Sequence, residues 1–228
     1  MRRVWLIAGI FWIVASALAC WLYPVQIPDA CSRYAPMADA FARGDFYLAF
    51  HPGYGLLFSC LAGSFAWIAN VPGIYAVQLA SFLLLALAGV AAFAFARRLT
   101  SSEQVAWWTF ALVLLMPDFF INALDGLRES AHCLTFSLLG LGIVARNGRA
   151  FGLGLFLYII TFSYGFFVAS VLLGLWCIWV GRERGLRVCI MPTLGWLVGT
   201  ALVTVLVHAY TGHWVPVRHA IGILGRWL

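Results

Sequence analysis

Long apolar runs separated by short polar breaks make up most of the chain. The first, residues 4–23, follows Arg2 and Arg3 and reaches the roughly 20 residues that one bilayer crossing needs. Further runs cover residues 53–69, 74–96, 104–117, 130–145, 151–180 and 188–209. Between them stand Asn70-Val71-Pro72-Gly73, Arg97-Arg98, Pro117, the pair Arg146 and Arg149, and the trio Arg182, Arg184 and Arg187. The run 151–180 is too long for one upright crossing and has a polar middle, Thr161-Phe162-Ser163-Tyr164-Gly165. It reads as two short crossings that meet near Tyr164. A signal peptide cleaved near Ala17 to Cys20 is the rival reading of the first run; the run continues to Tyr23, which is long for a signal core and favours an anchor.

One polar segment, residues 28–52, breaks this pattern and gathers Asp29, Arg33, Asp39, Arg43, Asp45 and His51. Within it Tyr34, Met37, Ala38 and Phe41 recur at helical spacing, which predicts a short amphipathic helix. Pro36 falls near its first turn, Gly44 just past its end, and Asp29 just ahead of it. Such a helix suits the membrane surface.

Arginine placement decides the topology, because basic residues favour the cytoplasmic side. If residues 53–69 crossed the membrane, three successive arginine clusters would fall outside. If they lie at the outer surface or re-enter, all four clusters, nine arginines in total, fall inside. The expected fold is therefore an all-α integral membrane protein with about seven transmembrane helices, two of them short, and amphipathic surface helices in the first extracytoplasmic loop. Residues 1–228 form one module, with residues 24–72 as that loop and 210–228 as an extracytoplasmic tail. Asp29, Asp39, Asp45, Asp118, Asp125 and Glu129 then share the outer face, and only Glu103 and Glu183 lie inside.

Composition agrees with this picture. The chain is 64% hydrophobic and 10% charged, well below the roughly 25% charge of soluble domains. All 14 basic residues are arginines, and their position between apolar runs marks topology rather than a nucleic-acid surface. The six cysteines have no metal-ligand spacing and read as apolar fillers, with a Cys31 to Cys133 disulfide as a minor alternative on the outer side. The C-terminal histidines His208, His213 and His219 have no ligand spacing either.

Asp29, Arg33-Tyr34, Met37-Ala38, Gly44-Asp45 and His51-Pro52 follow directly on the first span. Arg97-Arg98-Leu99, Pro117, Arg128-Glu129-Ser130 and the stretch Tyr210-Thr211-Gly212-His213-Trp214-Val215-Pro216 come later in the same order. This series resembles the membrane glycosyltransferases that use lipid-linked sugars, the superfamily of the protein O-mannosyltransferases and the lipid A aminoarabinose transferases. The resemblance implies inverting transfer from a polyprenyl-phosphate sugar to an extracytoplasmic acceptor, with the first-loop Asp29 as catalytic base. A bacterial inner or plasma membrane is the expected location, and the arginine placement puts the N-terminus on the cytoplasmic side. Members of that superfamily usually run to several hundred residues, so the chain reads as a glycosyltransferase or the donor-binding half of one, with a second membrane polypeptide as a candidate partner. Where some members carry a Lys after the loop His, or a cation between the paired short spans, this chain has Pro52 and Tyr164.

Chemistry assigns roles to the same residues. Asp29 as general base would take the acceptor hydroxyl proton; its bland alternative is a helix cap. Arg33 and Arg128 are candidate phosphate ligands, and His51 could hydrogen-bond phosphate or sugar. Tyr34 is an interfacial anchor or a ligand contact. Asp125 and Glu129 sit where a helix N-terminus favours negative charge, and Glu129 is the stronger site candidate. A divalent cation, Mg or Mn, bridged by Asp29 and Glu129 is compatible with hard oxygen ligands but not required. Two other classes compete: a non-catalytic protein of the same fold that binds a polyprenyl lipid or partner chain, and a small-molecule transporter. The transporter ranks last, because the acids cluster at one face and no internal repeat is visible.

Overall fold

The computed structural model describes residues 1–23, 27–50, 56–162 and 165–212. His51, Pro52, Tyr164 and His213 to Pro216, along with His219, lie outside the described residues. Among the described residues the chain is all-helical, with no strand. Apolar runs this long fold as helices because only a helix satisfies their backbone groups within the segment.

The elements are α1 (Arg2–Leu22), a π-helical turn (Ala30–Tyr34), α2 (Ala35–Ala42), α3 (Phe46–Ala49), α4 (Leu56–Ala69), α5 (Gly73–Thr100), α6 (Glu103–Leu115), α7 (Pro117–Leu124) and α8 (Glu129–Ala145). Then follow α9 (Gly148–Thr161), α10 (Gly165–Trp176), a second π turn (Cys177–Gly181), α11 (Arg182–Arg184), a 3-10 turn (Leu186–Cys189) and α12 (Ile190–Thr211). Four helical runs are long and apolar enough to cross a membrane: Arg2–Leu22, Gly73–Thr100, Gly165–Arg184 and Leu186–Tyr210. Helices α6 and α7, bent by 42° at Met116 and Pro117, count as a fifth if taken together. Helices α4, α8 and α9 are apolar but shorter.

Helix α5 is the centre. It is the most enclosed of the long helices, with α1 and α6 packed through Phe82, Phe93 and Phe110, and α2, α4 and α8 through Val77, Ala80 and Leu84. Helix α1 buries a stripe of Val4, Ala8, Ala15, Ser16 and Ala19 while Leu6, Ile13, Leu18 and Trp21 stay exposed. A helix apolar on every side fits a lipid surrounding. Beyond α8, the pair α9 and α12 packs glycine to backbone, with Gly152 against Met191 and Gly195 against Gly152. Small residues four apart allow such close approach.

Two polar ends result. At one, Arg146 pairs with Glu183 and lies over the Trp179 ring, 5.4 Å from its centroid, so the arginine-bearing turns after α8 and α10 meet. At the other, the C-terminus of α1, the N-termini of α5 and α8 and the first-loop helices gather. Helix α4 begins in one cluster with Val207 of α12 and ends just ahead of α5.

The first-loop helix differs from its expected form. Cys31 donates to the Ile27 carbonyl, so helical backbone already begins at Pro28. Asp29 is thus in the first turn rather than ahead of the helix, and Pro36 lies well inside the helical stretch. A proline there removes a backbone donor and crowds the preceding turn; the wider π turn at Ala30–Tyr34 relieves this. Tyr34, Met37 and Ala38 are buried, and the apolar face packs on α4 and α5 rather than lying open. The paired short run also differs: α9 ends at Thr161, and the helical run that begins at Gly165 continues through α11 to make 20 residues. Helix α12 runs on through Thr211, so Tyr210 belongs to the helix and not to a tail.

Asp39 fixes this loop to the core. Its Oδ1 accepts a hydrogen bond from the Gly73 N–H at 2.6 Å, capping α5, whose own Pro72 provides no side-chain cap. A Cβ on Gly73 would collide with the Ala35 carbonyl. Replacing Asp39 by Ala is expected to cost about 1–2 kcal/mol, read as a lower unfolding temperature in detergent. Asp39→Asn, which can still accept the bond, is expected to cost less.

Candidate functional site

The site is assembled by two buried polar residues on α5. In an apolar bundle a buried amide or hydroxyl needs a partner, and Gln78 and Ser81, three apart on one helix face, find theirs in loop carbonyls. Gln78 Nε2 donates to the Tyr23 carbonyl at 3.2 Å and the Leu124 carbonyl at 2.7 Å. Ser81 Oγ donates to the Leu127 carbonyl at 2.6 Å. The corner between α7 and α8 turns at Gly126 (φ +68°), where a Cβ would also lie only 2.6 Å from Val77 Cγ2. Tyr23 closes the assembly: its hydroxyl donates to Asp125 Oδ1 at 3.0 Å. The segment after α1 and the corner before α8, 102 residues apart, thereby meet.

Asp125 is an anchor. It is 3% exposed and ends α7, so it holds Tyr23 rather than capping α8. The hydrogen bond to Asp125, and that carboxylate's charge, push the Tyr23 hydroxyl above its usual pKa. Tyr23 therefore stays protonated and donating at neutral pH.

Asp29 and Arg33 stand together in the first-loop helix. Arg33 Nη1 is 2.8 Å from Asp29 Oδ1, with about half of each side chain exposed, at 47% and 51%. Asp29 makes no side-chain cap bond. Tyr34, next in sequence, turns inward and meets Phe58 edge-on, with ring centroids 5.2 Å apart. It is a packing anchor for the loop.

Arg128 and Glu129 enter α8, both half-buried. Glu129 lies in the first turn, where the helix dipole favours its charge. Its Oε2 is nevertheless buried without a hydrogen-bond partner among the described residues. Arg128 has no ion pair among the described residues. His132, one turn on, was not singled out by sequence reasoning; its Nε2 is also buried and unpartnered. The signal lay in its spacing, three residues after Glu129 and four after Arg128.

No protein-family model matches the chain, and no curated protein or solved structure matches it significantly. Local geometry alone therefore bears on chemistry. No group of three or more His, Cys, Asp or Glu side chains gathers as metal ligands would among the described residues. Asp29 is engaged with Arg33. Cys31 and Cys133 are not joined by a disulfide. Beside the site, a groove of about 460 Å³ runs between α1 and α5, lined by Trp12, Ile13, Ser16, Cys20, Tyr75 and Leu79.

Proposed function

We propose that the protein is a membrane glycosyltransferase, or the donor-binding half of one, acting on a polyprenyl-phosphate sugar at the outer membrane face. The observation that carries this reading is the Tyr23 to Asp125 bond. It draws the segment that leads to Asp29 and Arg33 toward the corner that bears Arg128 and Glu129.

In this reading the donor phosphate lies between the guanidinium groups of Arg33 and Arg128. Arg33 already holds a carboxylate, and its five donors can serve phosphate as well. As phosphate takes up the guanidinium, Asp29 is released to accept the acceptor hydroxyl proton while that oxygen attacks the anomeric carbon. The lipid phosphate leaves with the bonding electrons. Glu129 holds the donor, and His51 contributes if it faces the phosphate. The apolar groove along α1 can take the isoprenoid chain, since it reaches Cys20, three residues short of Tyr23. A non-catalytic, lipid-binding protein is the second reading, and the Asp29 to Arg33 ion pair is the observation that favours it.

Purified protein in nanodiscs is expected to bind undecaprenyl phosphate. Arg33→Ala with Arg128→Ala should weaken binding by at least tenfold, because two charge-assisted contacts are lost. Unchanged binding in the double variant, by native mass spectrometry, would reject the donor site.

The same reading places seven crossings in the membrane: the four long helices, the bent pair α6 and α7, and the shorter α8 and α9. Helix α4 stays on the outer side, which its start beside Val207 and end ahead of α5 support. In a Cys-free background, membrane-impermeant maleimide added outside should label cysteines at positions 45 and 118, both exposed. It should not label positions 98 or 184, also exposed. Position 125 is too buried to test. Labelling at 98 would mean that α4 crosses.

A further inference from the structure

The turns after α8 and α10 carry Arg146, Arg149, Arg182, Arg184 and Arg187, while Glu183 is the one acidic residue across 146–190. Folding gathers this charge at one corner. The ion pair of Arg146 with Glu183 joins the two turns, 37 residues apart. A Cβ on Gly148 would lie 2.6 Å from the Val188 carbonyl oxygen, so the backbone beside Arg149 and that beside Arg187 also meet. Glu183 is thereby used. Arg149, Arg182, Arg184 and Arg187 are exposed and have no ion pair among the described residues.

Backbone dipoles add to this charge. Helices α9 and α12 both begin at the corner, and neither has an acidic residue in its first turn. Helix α6, which follows Arg97 and Arg98, has Glu103 there. Because a helix N-terminus is itself partly positive, Arg149 in the first turn of α9 reinforces the charge instead of offsetting it. Guanidinium groups held this close repel one another, and a bound anion relieves that repulsion.

Apolar side chains share the same surface. Leu186, between Arg184 and Arg187 in sequence, is 81% exposed, and Trp179 and Ile190 are exposed beside it. Gly185 turns the chain here (φ +82°), and a Cβ on it would meet nothing within 4 Å, so the turn stands clear of the bundle. A small soluble anion would satisfy the arginines and leave these side chains in water. A phospholipid satisfies both.

We propose that this corner binds an anionic phospholipid of the surrounding leaflet, its phosphate among the four unpaired arginines and its acyl chains against Leu186 and Ile190. Guanidinium presents the fork of donors that phosphate oxygens accept, and basic clusters beside membrane spans recognise acidic headgroups. The corner lies at the polar end opposite Asp29 and Asp125, and its binding is independent of the sugar-transfer reading.

The test uses the full chain in detergent micelles and compares phosphatidylglycerol with phosphatidylcholine by native mass spectrometry. Phosphatidylglycerol should bind about tenfold or more tighter, since each arginine near an acidic headgroup contributes severalfold. Arg149→Gln, Arg182→Gln, Arg184→Gln and Arg187→Gln together should bring the two lipids within about twofold of each other. Arg97→Gln with Arg98→Gln, an exposed pair elsewhere, should keep most of the preference. Arg146 stays in place because it holds Glu183. Micelles remove any effect of the substitutions on membrane orientation, and circular dichroism reports folding. If the combined variant loses helix, Arg149→Gln with Arg187→Gln and Arg182→Gln with Arg184→Gln carry the test, each pair lowering the preference about threefold. Equal affinity for both lipids in the unsubstituted protein would overturn the proposal. An equal loss in the Arg97 and Arg98 variant would do the same, because the preference would then follow overall charge. Full displacement of phosphatidylglycerol by millimolar inorganic phosphate would assign the corner to a free anion and overturn the lipid.

Discussion

Replacing Asp29 by Asn is expected to lower sugar transfer by about 10²- to 10⁴-fold, the usual contribution of a positioned general base. Asn keeps the size of the side chain and one acceptor oxygen but cannot take a proton at neutral pH. Stability should barely change. The ion pair with Arg33 is about half exposed, and exposed pairs contribute only about 0.2–1 kcal/mol. No cap bond is at stake, since the Asp29 side chain makes none. Binding of bare undecaprenyl phosphate should persist, because Asn adds no negative charge near the phosphate and removes the Asp29 charge beside Arg33. Transfer would be followed with radiolabelled donor and a membrane acceptor fraction, alongside a thermal unfolding curve. Full transfer by a folded Asp29→Asn protein would leave the lipid-binding reading in possession of the site.

That experiment depends on a residue legible in the sequence, whereas the geometry around it was not. The apolar runs predicted nearly every long helix, because helix formation within such runs needs only the local backbone. The arginine pattern also set residues 53–69 apart from the other runs; α4 is a 14-residue helix that starts in one cluster with Val207 of α12 and ends just ahead of α5. Local spacing found the face of Tyr34, Met37 and Ala38, all buried. What it covers was not readable, since an amphipathic face looks the same whether lipid or protein covers it; α4 and α5 do.

Residues whose role depends on distant backbone were missed for the same physical reason. Asp39 caps a helix that begins 34 residues later. Gln78 holds carbonyls 55 and 46 residues away. Their type did carry a hint: Gln78 and Ser81 are polar residues three apart within an apolar run, and such residues turn inward toward partners. Asp125 shows the opposite error. Its place before α8 suggested a cap, yet its partner is Tyr23, which only the folded chain brings near. Glycine spacing was a further unused signal. Gly148 and Gly152, and Gly195 and Gly199, are each four apart, the pattern of closely packed membrane helices.

Those glycines predict the largest structural effect. A Cβ on Gly195 would fall inside the Gly152 carbonyl oxygen, and one on Gly152 inside the Met191 carbonyl. Gly148 is similarly placed, 2.6 Å from the Val188 carbonyl. All three obstacles are backbone, so no side-chain rotation relieves them and α9 and α12 must separate. Gly195→Ala is expected to cost about 1–3 kcal/mol, the usual range for overpacking, with Gly195→Leu at or beyond its upper end. The effect should reach the first loop. Tyr210, at the end of α12, packs on Phe46 and Phe50 of the loop with centroids 5.1 and 5.5 Å apart. Displacing α12 should therefore weaken lipid binding as well as stability. Gly174 is the control, because a Cβ there meets nothing within 4 Å. Gly174→Ala should be neutral or stabilising, by up to about 1 kcal/mol from helix propensity. Unfolding in mixed detergent and SDS micelles, followed by circular dichroism, would read both. Equal stability of Gly195→Leu and Gly174→Leu would show that α9 and α12 do not meet through these glycines.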